Sequence, residues 1–142
     1  MNAAPKDSKA AIRPSARGAF RFRKTSKLLK HSDFQHVYKS GKRHFSGLLT
    51  AFYLPRPSSE TQGPRVGLTV SKALGGAVER NRIKRRMREA VRLSASACAE
   101  PVDVVFNPRK SVLDLPFAEL LHEVARGLRL AAQRARVAEV TE

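Results

Sequence analysis

The apolar residues of this chain recur at two periods, and the switches between them mark out its elements. Phe34, Val37 and Tyr38 stand at i, i+3 and i+4, one side of a short helix that runs to about Lys39 and stops at Gly41. Ser32-Asp33-Phe34-Gln35 has the form of a capping box, in which the serine hydroxyl and glutamine side chain satisfy amides left unpaired at a helix start. The run Gly47 to Leu54 is apolar and rich in β-formers, closes at Pro55 and Pro57, and predicts a strand. Arg65 to Ser71 then alternates, with Val66, Leu68 and Val70 on one face; the two strands are predicted to pair as an antiparallel hairpin with a long loop. A glycine-bearing turn, Lys72 to Ala77, leads into a helix at about Val78 to Ser94, where Ile83, Met87, Ala90 and Val91 fall on one narrow stripe suited to a core. Val102 to Phe106 predicts a third strand, ended by Asn107-Pro108. Asp114 can cap a last helix with Pro116 in its first turn, and Phe117, Leu120, Leu121, Val124, Leu128 and Ala131 repeat at helical spacing as its core face. The order is α-β-β-α-β-α, which predicts an α+β fold: a small central sheet with helices packed on it.

Charge changes this picture from a generic small domain to a polyanion binder. The 142 residues carry a formal charge of +16 and a pI near 11.2, values typical of proteins that bind nucleic acid. A membrane partner fits less well. No stretch approaches the ~20 apolar residues of a spanning helix, and the basic helix has no Trp or Phe on its apolar stripe to anchor in an interface. Residues 1–23 are rich in Ala, Ser, Arg and Lys with Asp7 as the one acid, so they read as a basic, disordered extension, and 24–139 as the folded domain. They lack the apolar run of a secretory signal. Cys98 is the only cysteine, which rules out an intrachain disulfide and a thiolate metal cluster and suits a reducing cytoplasm; among small neighbours it reads as a buried, inert thiol.

The charge is concentrated. Arg80 to Arg92 holds seven arginines and lysines against one acid, Glu89. Arg80, Lys84, Arg88 and Arg92 form a row beside the apolar stripe, while Arg82, Arg85 and Arg86 point further round. So many cations within one or two Debye lengths, ~10 Å each at 0.1 M salt, repel one another until a partner relieves them. Gly75-Gly76 lacks the remaining residues of a phosphate loop and reads as an ordinary turn. Hydrolytic chemistry finds no support. His31 and His36 lie ~140° apart around a helix and make a poor metal pair, His44 and His122 are distant in sequence, and Asp103 and Asp114 are thin for a two-metal nuclease. A metal-free ribonuclease built from distant residues is the weakest alternative. Exposed aromatics, by contrast, can stack on unpaired bases. Phe34, Tyr38 and one of Phe52 or Tyr53 are the candidates, since the last two face opposite ways along a strand, and core packing is the competing use of each.

From Arg65 to Val91 the string RVGLTVSKALGGAVERNRIKRRMREAV resembles the bacterial ribonuclease P protein component, whose hallmark is an R-N-R helix after a V-S-K and G-N-A-V run. Asp33-Phe34, Val37-Tyr38 and Gly41 upstream and Asp103 to Arg109 downstream extend the match to roughly residues 24 to 135. The resemblance implies a ribosomal-protein-S5-like fold with a left-handed βαβ crossover. It also implies a noncatalytic subunit that partners a catalytic RNA and precursor tRNA, with no obligate protein partner, in removal of the tRNA 5′ leader. By motif match, contacts with the RNA subunit fall to Arg80, Asn81, Arg82, Lys84, Arg85 and Arg88, and contacts with the leader to Phe34, Tyr38, Phe52 and Lys72. No cofactor or metal is expected on the protein, and magnesium would serve the RNA subunit. Two positions depart from the pattern: Ala73 replaces a second lysine, and Gly76 the asparagine of the G-N turn. The bottom-up alternative is a structural RNA-binding protein, such as a ribosomal protein.

Overall fold

The computed structural model describes residues 31–57 and 63–141; the predicted N-terminal extension lies outside them. Among the described residues, three α-helices and a four-stranded mixed sheet make up the fold. Helix α1 spans His31–Ser40, strands β1 Lys42–Phe45, β2 Leu49–Pro55 and β3 Arg65–Leu68, helix α2 Ala77–Leu93, strand β4 Val102–Pro108 and helix α3 Phe117–Thr141. The sheet order is β1-β2-β4-β3, antiparallel except for the parallel pair β3 and β4, which α2 connects.

Four sequence expectations are corrected. The strands β2 and β3 do not form a hairpin, because β4 inserts between them and pairs with both. β4 is almost wholly buried, with Val102, Asp103, Val104, Val105, Phe106 and Pro108 all out of solvent, and the central position buries both of its faces. The true partner of β2 at its other edge is β1, a strand that sequence reading leaves as loop. Its residues KRHF are mostly exposed and pair on one side only, so neither propensity nor apolar alternation marks them. Ser46 closes the β1–β2 hairpin: its Oγ donates to the Leu49 carbonyl at 3.1 Å and accepts from the Leu48 and Leu49 amides at 3.3 Å. Ser32 lies inside α1 rather than capping it. Asp114 ends a 3₁₀ turn at Lys110–Leu113 instead of starting α3, and Pro116 precedes that helix, its carbonyl accepting from the Glu119 amide at 3.0 Å.

The two sheet faces are unequal. Leu49, Ala51, Val66, Val104 and Phe106 meet Ile83, Met87, Ala90 and Val91 of α2 and Leu120, Val124, Leu128 and Ala131 of α3 in the main core, so both predicted helical stripes are the buried faces. Gly127 permits this approach, since a Cβ there would stand 3.0 Å from the Phe106 ring. Among the described residues the opposite face is covered by α1, through Val37 against Val105 with Phe34, Tyr38, Phe52 and Leu54 around them. Gly41 sets the distance. Its amide donates to the Val37 carbonyl at 2.8 Å, and a Cβ would meet backbone oxygens of Val37 and Tyr53 at 2.6 and 2.7 Å.

A buried ion cluster ties the β2–β3 connection to the sheet. Arg65 grips Asp103 with Nε and a terminal nitrogen, both at 2.8 Å, and Arg56 donates to the same carboxylate at 3.0 Å and to the Gly63 carbonyl at 2.8 Å. Arg65 also stands 4.0 Å from Asp33 of α1, so one carboxylate cluster links helix, loop and sheet.

Candidate nucleic-acid interface

Because Ile83, Met87, Ala90 and Val91 are drawn into the core, α2 presents the opposite side of its cylinder to solvent, and there Asn81, Arg82, Arg85 and Arg88 are exposed. Lys84 and Arg80 flank this face, half-buried. The seven cations divide by what their heads touch. Arg80 donates to the Gly75 carbonyl at 3.2 Å, Arg92 pairs with Glu89, and Arg86 turns inward to donate to the Leu115 carbonyl at 2.6 Å beside the Phe117 ring. Among the described residues, Arg82, Lys84, Arg85 and Arg88 make no hydrogen bond or ion pair. Those four are the cations of α2 whose charge is not met within the described residues.

The start of α2 shows how the two departures sit. Gly75 adopts φ 142°, a conformation that favours glycine, and its amide donates to the Lys72 carbonyl. Gly76 is the N-cap, with ordinary extended φ of −77°, and without a side chain it offers the helix no cap; only Glu79 reaches back, accepting from the Gly76 amide at 3.1 Å. Ala73 is exposed in the preceding 3₁₀ turn.

The second surface is the cleft between α1 and the sheet. Phe34, Tyr38 and Phe52 are each half-buried: one side packs on Val37 and Val105, the other reaches solvent. The same rings therefore contribute to packing and keep ring surface open to solvent. Tyr38 and Phe52 meet edge to face with centroids 4.9 Å apart, a favoured aromatic geometry. The Tyr38 hydroxyl lies 2.7 Å from the Thr69 hydroxyl and donates to Asn107 Oδ1 at 3.2 Å, which pins the ring. Tyr53 faces the main core, leaving Phe52 as the cleft member of that pair. Lys72 is exposed in the turn three residues after Thr69. Sequence reasoning missed Thr69 and Asn107, whose roles depend on a register no local pattern shows.

No group of three metal-ligating side chains occurs among the described residues, and no described helix is long and apolar enough to cross a membrane. His31 and His36 are exposed on α1. Burial pushes the Cys98 thiol up to about 11, and the neighbouring Glu100 carboxylate adds to the shift. Partial burial would raise Glu100 itself, but the Arg136 guanidinium at 2.8 Å and the Ala99 amide outweigh it and hold the carboxyl below its usual value. A groove of about 570 Å³ along α3, lined by His122, Arg126, Arg129 and Arg136 among others, carries further positive charge.

Comparison with known proteins gives one consistent answer. The sequence model of the family described as Ribonuclease P matches residues 22–132. A ribonuclease P protein component of Desulforapulum autotrophicum is 38% identical over 109 residues, 77% of this chain and 91% of that protein. That of Clostridioides difficile is 39% identical over 100 residues, 70% and 85% of the two chains. Among solved structures, the RNase P protein of Staphylococcus aureus superposes with a TM-score of 0.63 at 28% identity, covering 75% of this chain and 94% of that one. The Thermotoga maritima RNase P protein gives 0.64 at 23% identity, covering 72% and 94%, and supports the fold.

Proposed function

The chain belongs to the ribonuclease P protein family, and from that premise we propose that it works as the protein subunit of ribonuclease P, promoting removal of the 5′ leader from precursor tRNA. Catalysis falls to the RNA subunit, with its magnesium ions, and the protein acts by electrostatics and by positioning. The free cations of α2 support docking on that RNA: Arg82, Arg85 and Arg88, with Asn81 between them and Arg80 and Lys84 at the margin, form a cationic face on a helix whose backbone is held by the core, and no internal ion pair has to break before those three arginines meet phosphates. Each phosphate neutralised releases condensed counterions, which makes the contact salt-sensitive. The cleft suits the leader, because a single strand has unpaired bases to stack and a duplex does not. Phe34, Tyr38 and Phe52 offer ring surface there, and Lys72 a charge for the strand's backbone.

The observation that carries this reading is the placement of two different chemistries on separate elements. Free cations lie on α2 and half-open aromatics between α1 and the opposite sheet face, which fits a protein holding a structured RNA and a single strand at once. The test is cleavage of 5′-labelled precursor tRNA at low magnesium by the protein, by a bacterial ribonuclease P RNA, and by both. Cleavage at the mature 5′ end only by the mixture is expected. Cleavage by protein alone would place an active site on this chain, and no enhancement by the protein would favour a structural role elsewhere.

A further inference from the structure

Phe45 is an apolar ring left 59% exposed at the end of the edge strand β1. A single exposed Phe is ordinary on a protein surface, but this one has a guanidinium as its neighbour. Arg109 lies over the ring, 4.7 Å from its centroid. The Arg109 amide donates to the Leu48 carbonyl at 2.9 Å, so the backbone that carries the cation is fixed to the β1–β2 turn that carries the ring.

Register decides which surface this pair belongs to. Phe45 stands opposite Thr50, and Thr50 opposite Asn107; directly paired residues share a sheet face. One step along the strands, Arg43 stands opposite Phe52 and Phe52 opposite Val105. Phe45 is therefore on the α1 side of the sheet, in one transverse row with Thr50 and Asn107, and Asn107 is the residue that accepts from the Tyr38 hydroxyl. Two strand spacings, about 10 Å, separate Phe45 from Asn107. Arg43, two residues earlier on the same strand face, and Arg109 are both exposed.

We propose that Phe45 and Arg109 form a further nucleobase-binding subsite, in which one unpaired base of the leader stacks on the open ring face while Arg109 and Arg43 meet the flanking phosphates. The assignment rests on the leader-cleft reading above and extends that cleft outward to the β1 edge. Stacking on a ring backed by a cation needs no base-specific hydrogen bond, so the subsite tolerates any base.

The test uses the full chain assembled with a bacterial ribonuclease P RNA and precursor tRNAs carrying 2-aminopurine at successive leader positions. With the unaltered chain, fluorescence at one position is quenched by the Phe45 stack. Phe45→Ala is expected to restore fluorescence there alone and to weaken precursor binding roughly 5- to 10-fold, while Phe45→Trp retains both. The ring packs into no core, so circular dichroism of all three proteins should coincide. Quenching unchanged at every position in Phe45→Ala, but lifted by Phe52→Ala, would overturn the subsite and leave the inner cleft standing. Quenching untouched by either substitution would overturn both.

Discussion

At the scale of single residues, two side chains read from sequence as unremarkable carry definite physical consequences. Asp103 is 4% exposed and holds Arg56 and Arg65 together. Removing one partner of a buried ion cluster leaves the other charges desolvated and unpaired, which typically costs about 3–5 kcal/mol. Asp103→Ala should therefore lose most of its stability in urea, whereas Arg43→Ala, at an exposed edge position, should stay within about 0.5 kcal/mol of the parent. Cys98 behaves as a small buried hydrophobe. Burial pushes its thiol from 9.0 up to about 11, so the folded state holds the proton more tightly. That contribution is fully present below pH 9 and fades as pH rises towards 11. Iodoacetamide at pH 8 should label Cys98 only in denaturant, and the fall in stability between pH 9 and 11 should be smaller in Cys98→Ala; rapid labelling of the native protein would show the thiol to be accessible.

At the scale of elements, what was legible followed from amphipathic periodicity. Ile83, Met87, Ala90 and Val91, and Leu120, Val124, Leu128 and Ala131 of α3, are buried as their spacing predicts, with Phe117 and Leu121 half-buried at the margin, because a helix reports its buried face in local sequence. Strand pairing is not local. Nothing within β2 or β3 says that β4 will separate them, and KRHF as an exposed edge carries no signal beyond following Gly41. The cleft inherited both halves: its α1 rings were visible, but Thr69, Asn107 and Phe45 reach it only through register. Gly41 is the hinge pin of this surface, since a methyl group there would push backbone against backbone. Gly41→Ala should cost about 1–3 kcal/mol and weaken precursor tRNA binding more than mature tRNA binding, because lifting α1 widens the cleft that only a leader would use; equal losses would separate Gly41 from the leader. At the other end of the chemistry, Gly76→Asn should raise the stability of α2 by a few tenths of a kcal/mol. The added side chain would supply the missing cap, and the one close atom, Glu79 Oε1 at 3.2 Å, ends a flexible side chain. An unchanged or lowered thermal midpoint would mean that the new cap fails to form.

At the scale of the whole molecule, the +16 charge gives long-range attraction to any RNA, and the division of labour on α2 gives that attraction an address. Arg82→Ala and Arg85→Ala should each weaken assembly with the RNA subunit and reduce the salt slope of binding by about 1. Arg86→Ala should do the reverse, lowering thermal stability through the lost Leu115 and Phe117 contacts with the slope unchanged. Identical slopes for all three would place α2 away from phosphates. The position of β4 reaches further still, into the order of events on the ribosome. The strand that completes the sheet is the last of the four to be synthesised, and both neighbours must wait for it. Until Pro108 has left the exit tunnel, β3 has no partner at all and β2 only its exposed edge hairpin, so a nascent chain ending before Val102 should show little protection from protease. Folding of this RNA-binding surface is thus a single late event, during which a highly cationic, unfolded polypeptide emerges beside the most abundant RNA in the cell.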